Sequence, residues 1–343
     1  MKGPVFVRAV LLASVVLLLP PFALSACGGS GGPAASPSPS AAAEWSYSPS
    51  PSPTPFPTPT VTGVIGFTRV RGDALYGGDV YTVRTDGTEL TALTDSVRDE
   101  GGGAWSPDGR TVVFSKSGLG SSVEAVGVRL WTMDADGSTK RVLTRGKDFG
   151  VTPAWSPDGR RIAFFRWVGF SSDGVETYDI ATLAPDGSGL TRVCRGSEGG
   201  PLVWAKNDRF YYNLTGDRFD VYSVKTDGSD VRRVTRLGHV AGFALSPDGK
   251  QLAIFELYPR NCISVLPASG RARPKAIVKP VPDSISGAMV SLSWSPDGKA
   301  IAFSNDGYNA PPGSGLFIVN ADGSGLSLVP GTGPVWGVTW LPQ

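Results

Sequence analysis

The chain has 343 residues, of which 41% are hydrophobic and 18% charged, with 45 glycines and 29 prolines. The formal net charge is +2, and without Lys2 and Arg8 the two signs balance at 30 each, so no basic stripe points to nucleic acid. A single histidine, His239, excludes a two-histidine metal site.

Residues 1–26 read as a targeting segment. Lys2 and Arg8 make a basic start, and Ala9–Leu19 is an apolar run too short to span a bilayer. The segment ends in Leu24-Ser25-Ala26-Cys27-Gly28, which resembles a bacterial lipobox. That resemblance implies cleavage before Cys27 and diacylation of its sulfur, with the lipid bilayer as partner. Two acyl chains give stable anchoring where one gives only marginal binding. The expected location is then the cell membrane, lipid-anchored and extracytoplasmic. An ordinary secretory signal with a cysteine near its end is the alternative.

Residues 27–61 form a linker rich in Ser, Ala and Gly, with nine prolines between Pro33 and Pro59. It lacks the apolar density to repay chain ordering. Its proline-rich half favours polyproline II at about 3.1 Å per residue, so the whole segment can reach on the order of 100 Å. It reads as a stalk, and its Ser/Thr/Pro composition also suits O-glycosylation. A Gly-x-Ser-x-Gly match at 28–32 falls inside this linker, away from the strand-to-helix turn that a nucleophile elbow requires.

Residues 62–343 repeat themselves. Ala104–Ser115 reads AWSPDGRTVVFS, and the phrase returns at Ala154–Phe165, Ala244–Phe255 and Ser293–Ser304, with a degraded copy at Val203–Asn213. Pro107 suits the first corner of a turn and Asp108-Gly109 the rest of the bend. A second phrase follows each copy, as in Asp220–Thr235 (DVYSVKTDGSDVRRVT), and its Asp-Gly predicts a hairpin with a type I′ turn. The unit is therefore four strands, a to d. The strand-a aromatic or its substitute falls at Trp105, Trp155, Trp204, Leu245, Trp294 and Trp340, in steps of 41–50 residues. Such periods mean propeller blades. The expected fold is all-β: a six-bladed β-propeller of four-stranded blades. Val335–Trp340 is expected to supply strand a of the first blade and close the ring. The tryptophans are expected in the core.

The W-S-P-D-G-[RK]-x-I-A-F phrase, followed by [IV]-x-x-x-D-x-D-G, is similar to the WD40-like repeat of the TolB family over residues 63–343. The resemblance implies the propeller fold. It leaves function open, because this repeat also occurs in envelope scaffolds, in the non-catalytic half of prolyl peptidases and in carbohydrate lyases. The N-terminal α/β domain of TolB itself is not expected here.

Cys194 and Cys262 fall on non-adjacent blades and are expected as free buried thiols. The acidic turns at Asp134–Gly137 and Asn320–Gly323 lack the further oxygen ligands of an EF-hand and read as structural. No cofactor and no catalytic residue is expected. Alternating strand directions put the a–b and c–d turns on one face and the b–c and d–a loops on the other. The second face carries the sequence variation, and with it the candidate partner-binding residues Tyr76, Arg98, Asp99, Phe149, Trp167, Phe170, His239, Tyr308 and Trp336. The leading expectation is a monomeric, non-enzymatic module of the cell envelope that binds a protein or a glycan. The alternatives are a carbohydrate-active enzyme working in the central channel and a small-ligand sensor.

Overall fold

The computed structural model describes residue 59 and residues 61–70, 78–96, 100–118, 127–146, 148–172, 174, 176–196, 200–214, 219–257, 260–279, 291–305 and 315–342. Six four-stranded antiparallel sheets make six blades. The first joins β24 (Val335–Trp340) to β1 (Val64–Val70), β2 (Gly78–Arg84) and β3 (Thr91–Ala92). The second holds β4 (Glu100–Trp105), β5 (Thr111–Lys116), β6 (Arg129–Asp134) and β7 (Arg141–Val142). The third holds β8 (Gly150–Trp155), β9 (Ile162–Phe170), β10 (Glu176–Leu183) and β11 (Thr191–Gly196). The fourth holds β12 (Leu202–Ala205), β13 (Arg209–Leu214), β14 (Asp220–Lys225) and β15 (Arg232–Arg233). The fifth holds β16 (Val240–Leu245), β17 (Gln251–Glu256), β18 (Cys262–Pro267) and β19 (Lys275–Val278). The sixth holds β20 (Leu292–Trp294), β21 (Ala300–Asn305), β22 (Gly315–Asn320) and β23 (Ser327–Leu328).

The ring closes through its last strand. Ile65 pairs with Trp340 and Arg69 with Val335, so β24 completes the first blade. Side chains reinforce the join on both sides. Thr339 donates to the Gly103 carbonyl in the second blade, and Ser293 of the sixth accepts from the Trp340 N–H. Val64 pairs with Arg84 at the turn end of the blade, so the chain enters the ring from the face of short turns.

The repeated phrases are structural. In Ser106-Pro107-Asp108-Gly109, the Ser106 hydroxyl donates to Asp108 at 2.6 Å and accepts from the Thr111 N–H at 2.9 Å. The same pair of bonds recurs at Ser156, Ser246 and Ser295. In the degraded copy Asp208 takes a φ of 57° in the glycine's place, which the short polar side chain tolerates.

The Asp-Gly turns between strands c and d depart from the type I′ expectation. Gly87 N–H donates to Arg84 across Thr85 and Asp86, both at negative φ, and only Gly87 is left-handed, at 85°. This is the pattern of a type I turn followed by a left-handed glycine. The glycine is needed for packing as well. A Cβ on Gly137, Gly187, Gly228, Gly270 or Gly323 would meet a carbonyl oxygen in or just after strand d of the preceding blade at 1.8–2.9 Å. The Asp beside it bonds local backbone, as Asp136 does with the Ser138 N–H at 2.9 Å.

Apolar strand faces pack blade against blade. Trp105, Trp294 and Trp340 are 5–6% exposed, while Trp155 and Trp204 are half-buried. The Trp155 indole N–H donates to Ala104 O and that of Trp294 to Ala244 O, each in the preceding blade. Buried threonines tie strand d to strand c. Thr235 accepts from the Val221 N–H and donates to Asp220, and Thr94 bonds Val80 and Asp79 in the same way. Cys262 is buried and Cys194 half-buried, and both are free thiols. Among the described residues no helix is long and apolar enough to cross a membrane.

Candidate functional site: the loop face of blade three

Among the described residues, the third blade carries the longest hairpin on the loop face. Its strand b, β9, has nine residues, where β5, β13, β17 and β21 have six each. The extra length pairs with β10 to form a hairpin on the loop face. A register shift separates the Gly169–Thr177 pair from the Trp167–Tyr178 pair, leaving Val168 unpaired. Val168 and Phe170 are 54% and 56% exposed, among the most exposed large apolar side chains described. Trp167 stands beside them, its ring 5.8 Å from that of Phe170 and almost perpendicular to it. The Trp167 indole N–H finds no acceptor among the described residues.

The loop leading into β8 braces this hairpin. The Trp167 N–H donates to Phe149 O at 3.0 Å, and the Phe149 ring lies 6.0 Å from that of Trp167. Phe149 itself is 5% exposed and fills the space that a side chain at Gly127 would need. The Arg129 guanidinium lies over its ring. Asp148 accepts from Arg166 at 2.9–3.0 Å. Phe170 is therefore presented to solvent, Trp167 is half-buried against the core shared with the fourth blade, and Phe149 packs against Trp167.

A second polar cluster lies on the fifth blade. Glu256 ends β17, and its side chain is fully buried. It accepts from Ser264 and from Arg260 at 3.1 Å, lies 3.2 Å from His239 Nε2, and receives a long contact from the Cys262 thiol. Burial pushes this carboxyl upward, but the bonds from Ser264 and His239 and the charge of Arg260 hold it below the usual carboxylate range. Asp220 is held low in the same way by Thr235 and Arg233 against its own burial. His239 is not isolated in its loop: it precedes β16 and faces this buried acid.

Among the described residues, the strands that line the central channel are poor in ionisable groups. The innermost strands β4, β8, β12, β16, β20 and β24 contain one, Glu100, which is buried and pairs with Lys116. The remaining positions are small or apolar, with glycine where neighbouring strands approach. Trp336 on β24 packs where a Cβ on Gly101 would fall, 2.2 Å from its ring. Among the described residues no group of three or more His, Cys, Asp and Glu is placed to hold a metal ion.

The expected site residues thus divide. Phe149, Trp167 and Phe170 come together on the third blade. His239 lies on the fifth and Trp336 on the first. Tyr76, Arg98, Asp99, Tyr308 and Cys27 lie outside the described residues. The sequence reading missed Val168, Glu256, Arg260 and the Asp148–Arg166 pair. One signal for Glu256 was present: it occupies the strand-b column that holds Arg69, Lys116 and Arg166 in other blades, each paired with the first residue of strand a.

No family model and no curated protein matches the sequence. Among solved structures, the chain is similar to TolB from Acinetobacter baumannii at 20% identity, with a TM-score of 0.64 over 82% of this chain and 67% of that one. It is also similar to an oligogalacturonate lyase in complex with manganese at 14% identity, with a TM-score of 0.51 over 74% of this chain and 70% of that one. At these identities the likeness is one of fold, and the fold is that of a TolB-like six-bladed β-propeller.

Proposed function

We propose that this chain is a non-enzymatic, extracytoplasmic binding module of the bacterial cell envelope, tethered through a diacylated Cys27, that recognises a protein on the loop face of its third blade. The observation that carries the reading is the projecting hairpin. It keeps Val168 and Phe170 in water beside a half-buried Trp167, which costs solvation. Aromatic side chains on a rigid scaffold are the usual anchors of protein interfaces. Entry of the chain from the face of short turns supports the same arrangement, since the chain reaches Val64 from the side opposite the loop face. The scarcity of ionisable side chains on the inner strands weighs against chemistry inside the channel.

Affinity capture from crosslinked envelope tests the proposal, with the full chain as bait and its Trp167→Ala/Phe170→Ala variant as control. One dominant protein held by the native chain and lost by the variant is the expected result. A partner retained equally by both would contradict the site. A second reading, a carbohydrate-active enzyme, draws on Glu256, His239 and Arg260, which place an imidazole and a guanidinium on one buried carboxylate. Turnover of envelope glycans that is abolished by His239→Ala would establish it.

A further inference from the structure

The outermost strands carry charge in a repeating place. The carbonyls of Leu143, Val193, Val234 and Ile277 each face the turn glycine of the next blade, which makes these four residues equivalent. Two residues beyond each stands an exposed cation: Arg145, Arg195, Arg236 and Lys279. The first blade has Asp95 there, two residues beyond Leu93, and no charge follows Val329 in the sixth. The asymmetry runs along the whole outer edge. Residues 139–145, 189–195, 230–236 and 271–279, which contain β7, β11, β15 and β19, hold twelve Lys and Arg against one carboxylate, Asp230. Residues 89–95 of the first blade hold two carboxylates and no cation, and residues 325–331 of the sixth hold no charge. The whole chain is only +2, so the concentration is local. Three of the twelve are paired: Arg192 with Asp179, Arg232 with Asp230 and Arg233 with Asp220. Among the described residues the others make no ion pair. The carboxylates near them are engaged. Asp148, in a groove with Arg145, is held by Arg166, and Asp186 in the same groove accepts from Ser188. Asp322 is held low by Ser324 and, more weakly, by the charge of Lys275.

Edge protection explains a charge on each open strand, but it does not require one sign in four blades and its loss or reversal in two. The inner strands follow one another round the ring in chain order, so the second and fifth blades stand opposite and their outer strands face opposite ways. A flat bilayer reaches one side of such a wall, and a small anion needs one blade only. We infer that the outer wall of the second to fifth blades binds a flexible linear polyanion, a chain with one fixed negative charge per repeat unit that bends around the ring. The guanidinium forks match its oxyanions bidentately. Each exposed contact is weak, and affinity comes from several blades engaging one chain. This surface is separate from the Phe170 corner on the β9–β10 hairpin and goes beyond the protein-binding reading.

The test titrates the full chain into labelled polyphosphate of about a hundred units, read by fluorescence anisotropy, beside chains of about five units and phosphatidylglycerol vesicles. The long chain should bind about a hundredfold more tightly than the short one. Salt at about 0.5 M should abolish binding. Arg145→Ala/Arg195→Ala and Arg236→Ala/Lys279→Ala should each weaken the long chain about tenfold. Lys250→Ala/Lys299→Ala removes equal charge from the short turns, where each lysine lies near its own Asp, and should change nothing. All these side chains are exposed, so every variant should keep the native melting temperature. Failure of the long chain to bind, equal affinity for long and short chains, or equal weakening by Lys250→Ala/Lys299→Ala would overturn the inference. Vesicles bound as tightly as the long chain would also overturn it, in favour of a membrane surface. Phe170→Ala should leave polymer binding unchanged, so this inference and the protein-binding reading fail separately.

Discussion

Ser156 shows how the repeated turn holds together. Its hydroxyl bonds Asp158 and the Arg161 N–H, so Ser156→Ala leaves a backbone donor and a carboxylate each short of a partner. A loss of about 1 kcal/mol is expected in urea denaturation. Gly270→Ala should cost more. Its φ of 68° carries a left-handed penalty of about 1–2 kcal/mol, and its new Cβ would fall 1.8 Å from Val234 O. The Asp-Gly text was legible as a turn. Its second reason was not, because the carbonyl that forbids a side chain belongs to another blade and lies outside any local window. The thiols give a further prediction at this scale. Burial pushes Cys194 up to about 11 and raises Cys262, so neither should react readily with iodoacetamide at pH 8 in the native protein. Unfolding the mature protein should expose two reactive thiols if Cys27 is a thioether or leaves with the signal, and three if it is retained as a thiol.

The hairpin of β9 and β10 separates support from recognition. Phe149→Ala removes a buried ring and should cost about 3–5 kcal/mol of stability. Phe170→Ala removes an exposed one and should change stability by no more than about 0.5 kcal/mol while abolishing partner capture. Trp167 and Phe170 could be picked out from sequence because they break the repeat on the variable face. Phe149 could be picked out as well, but not its role, since only the structure puts Gly127 opposite its ring. Val168 escaped because its exposure depends on a register shift. Asp148 and Arg166 escaped because their pairing needs the d–a loop folded back over the hairpin. On the fifth blade, Glu256 lay in plain view of the repeat column, but its meaning depended on which donors converge there.

At the scale of the whole ring, six blades could be read from the period alone, and so could the closing strand, because Ile65 had no strand a before it and Trp340 no strand b after it. What sequence spacing could not supply is how the join is strengthened by Thr339 and Ser293. Trp340→Ala should cost about 3–5 kcal/mol by opening that join, read as a lowered denaturant midpoint. Acid should remove stabilisation from the fourth and fifth blades. Asp220 and Glu256 both titrate lower folded than unfolded, so their stabilisation is complete above the unfolded values of about 4 and is lost as pH falls through the lower folded values. Stability measured from pH 7 downward should therefore hold to about pH 5 and then decline, and Asp220→Asn/Glu256→Gln should flatten that decline.

The central claim is that a protein partner meets the loop face of the third blade. A photocrosslinking amino acid placed at position 170 in living cells tests it most directly, with the same amino acid at position 250, on the opposite face, as the comparison. One protein adduct from position 170 and none from position 250 is the predicted result. No adduct from position 170, or an equal adduct from position 250, would contradict the account.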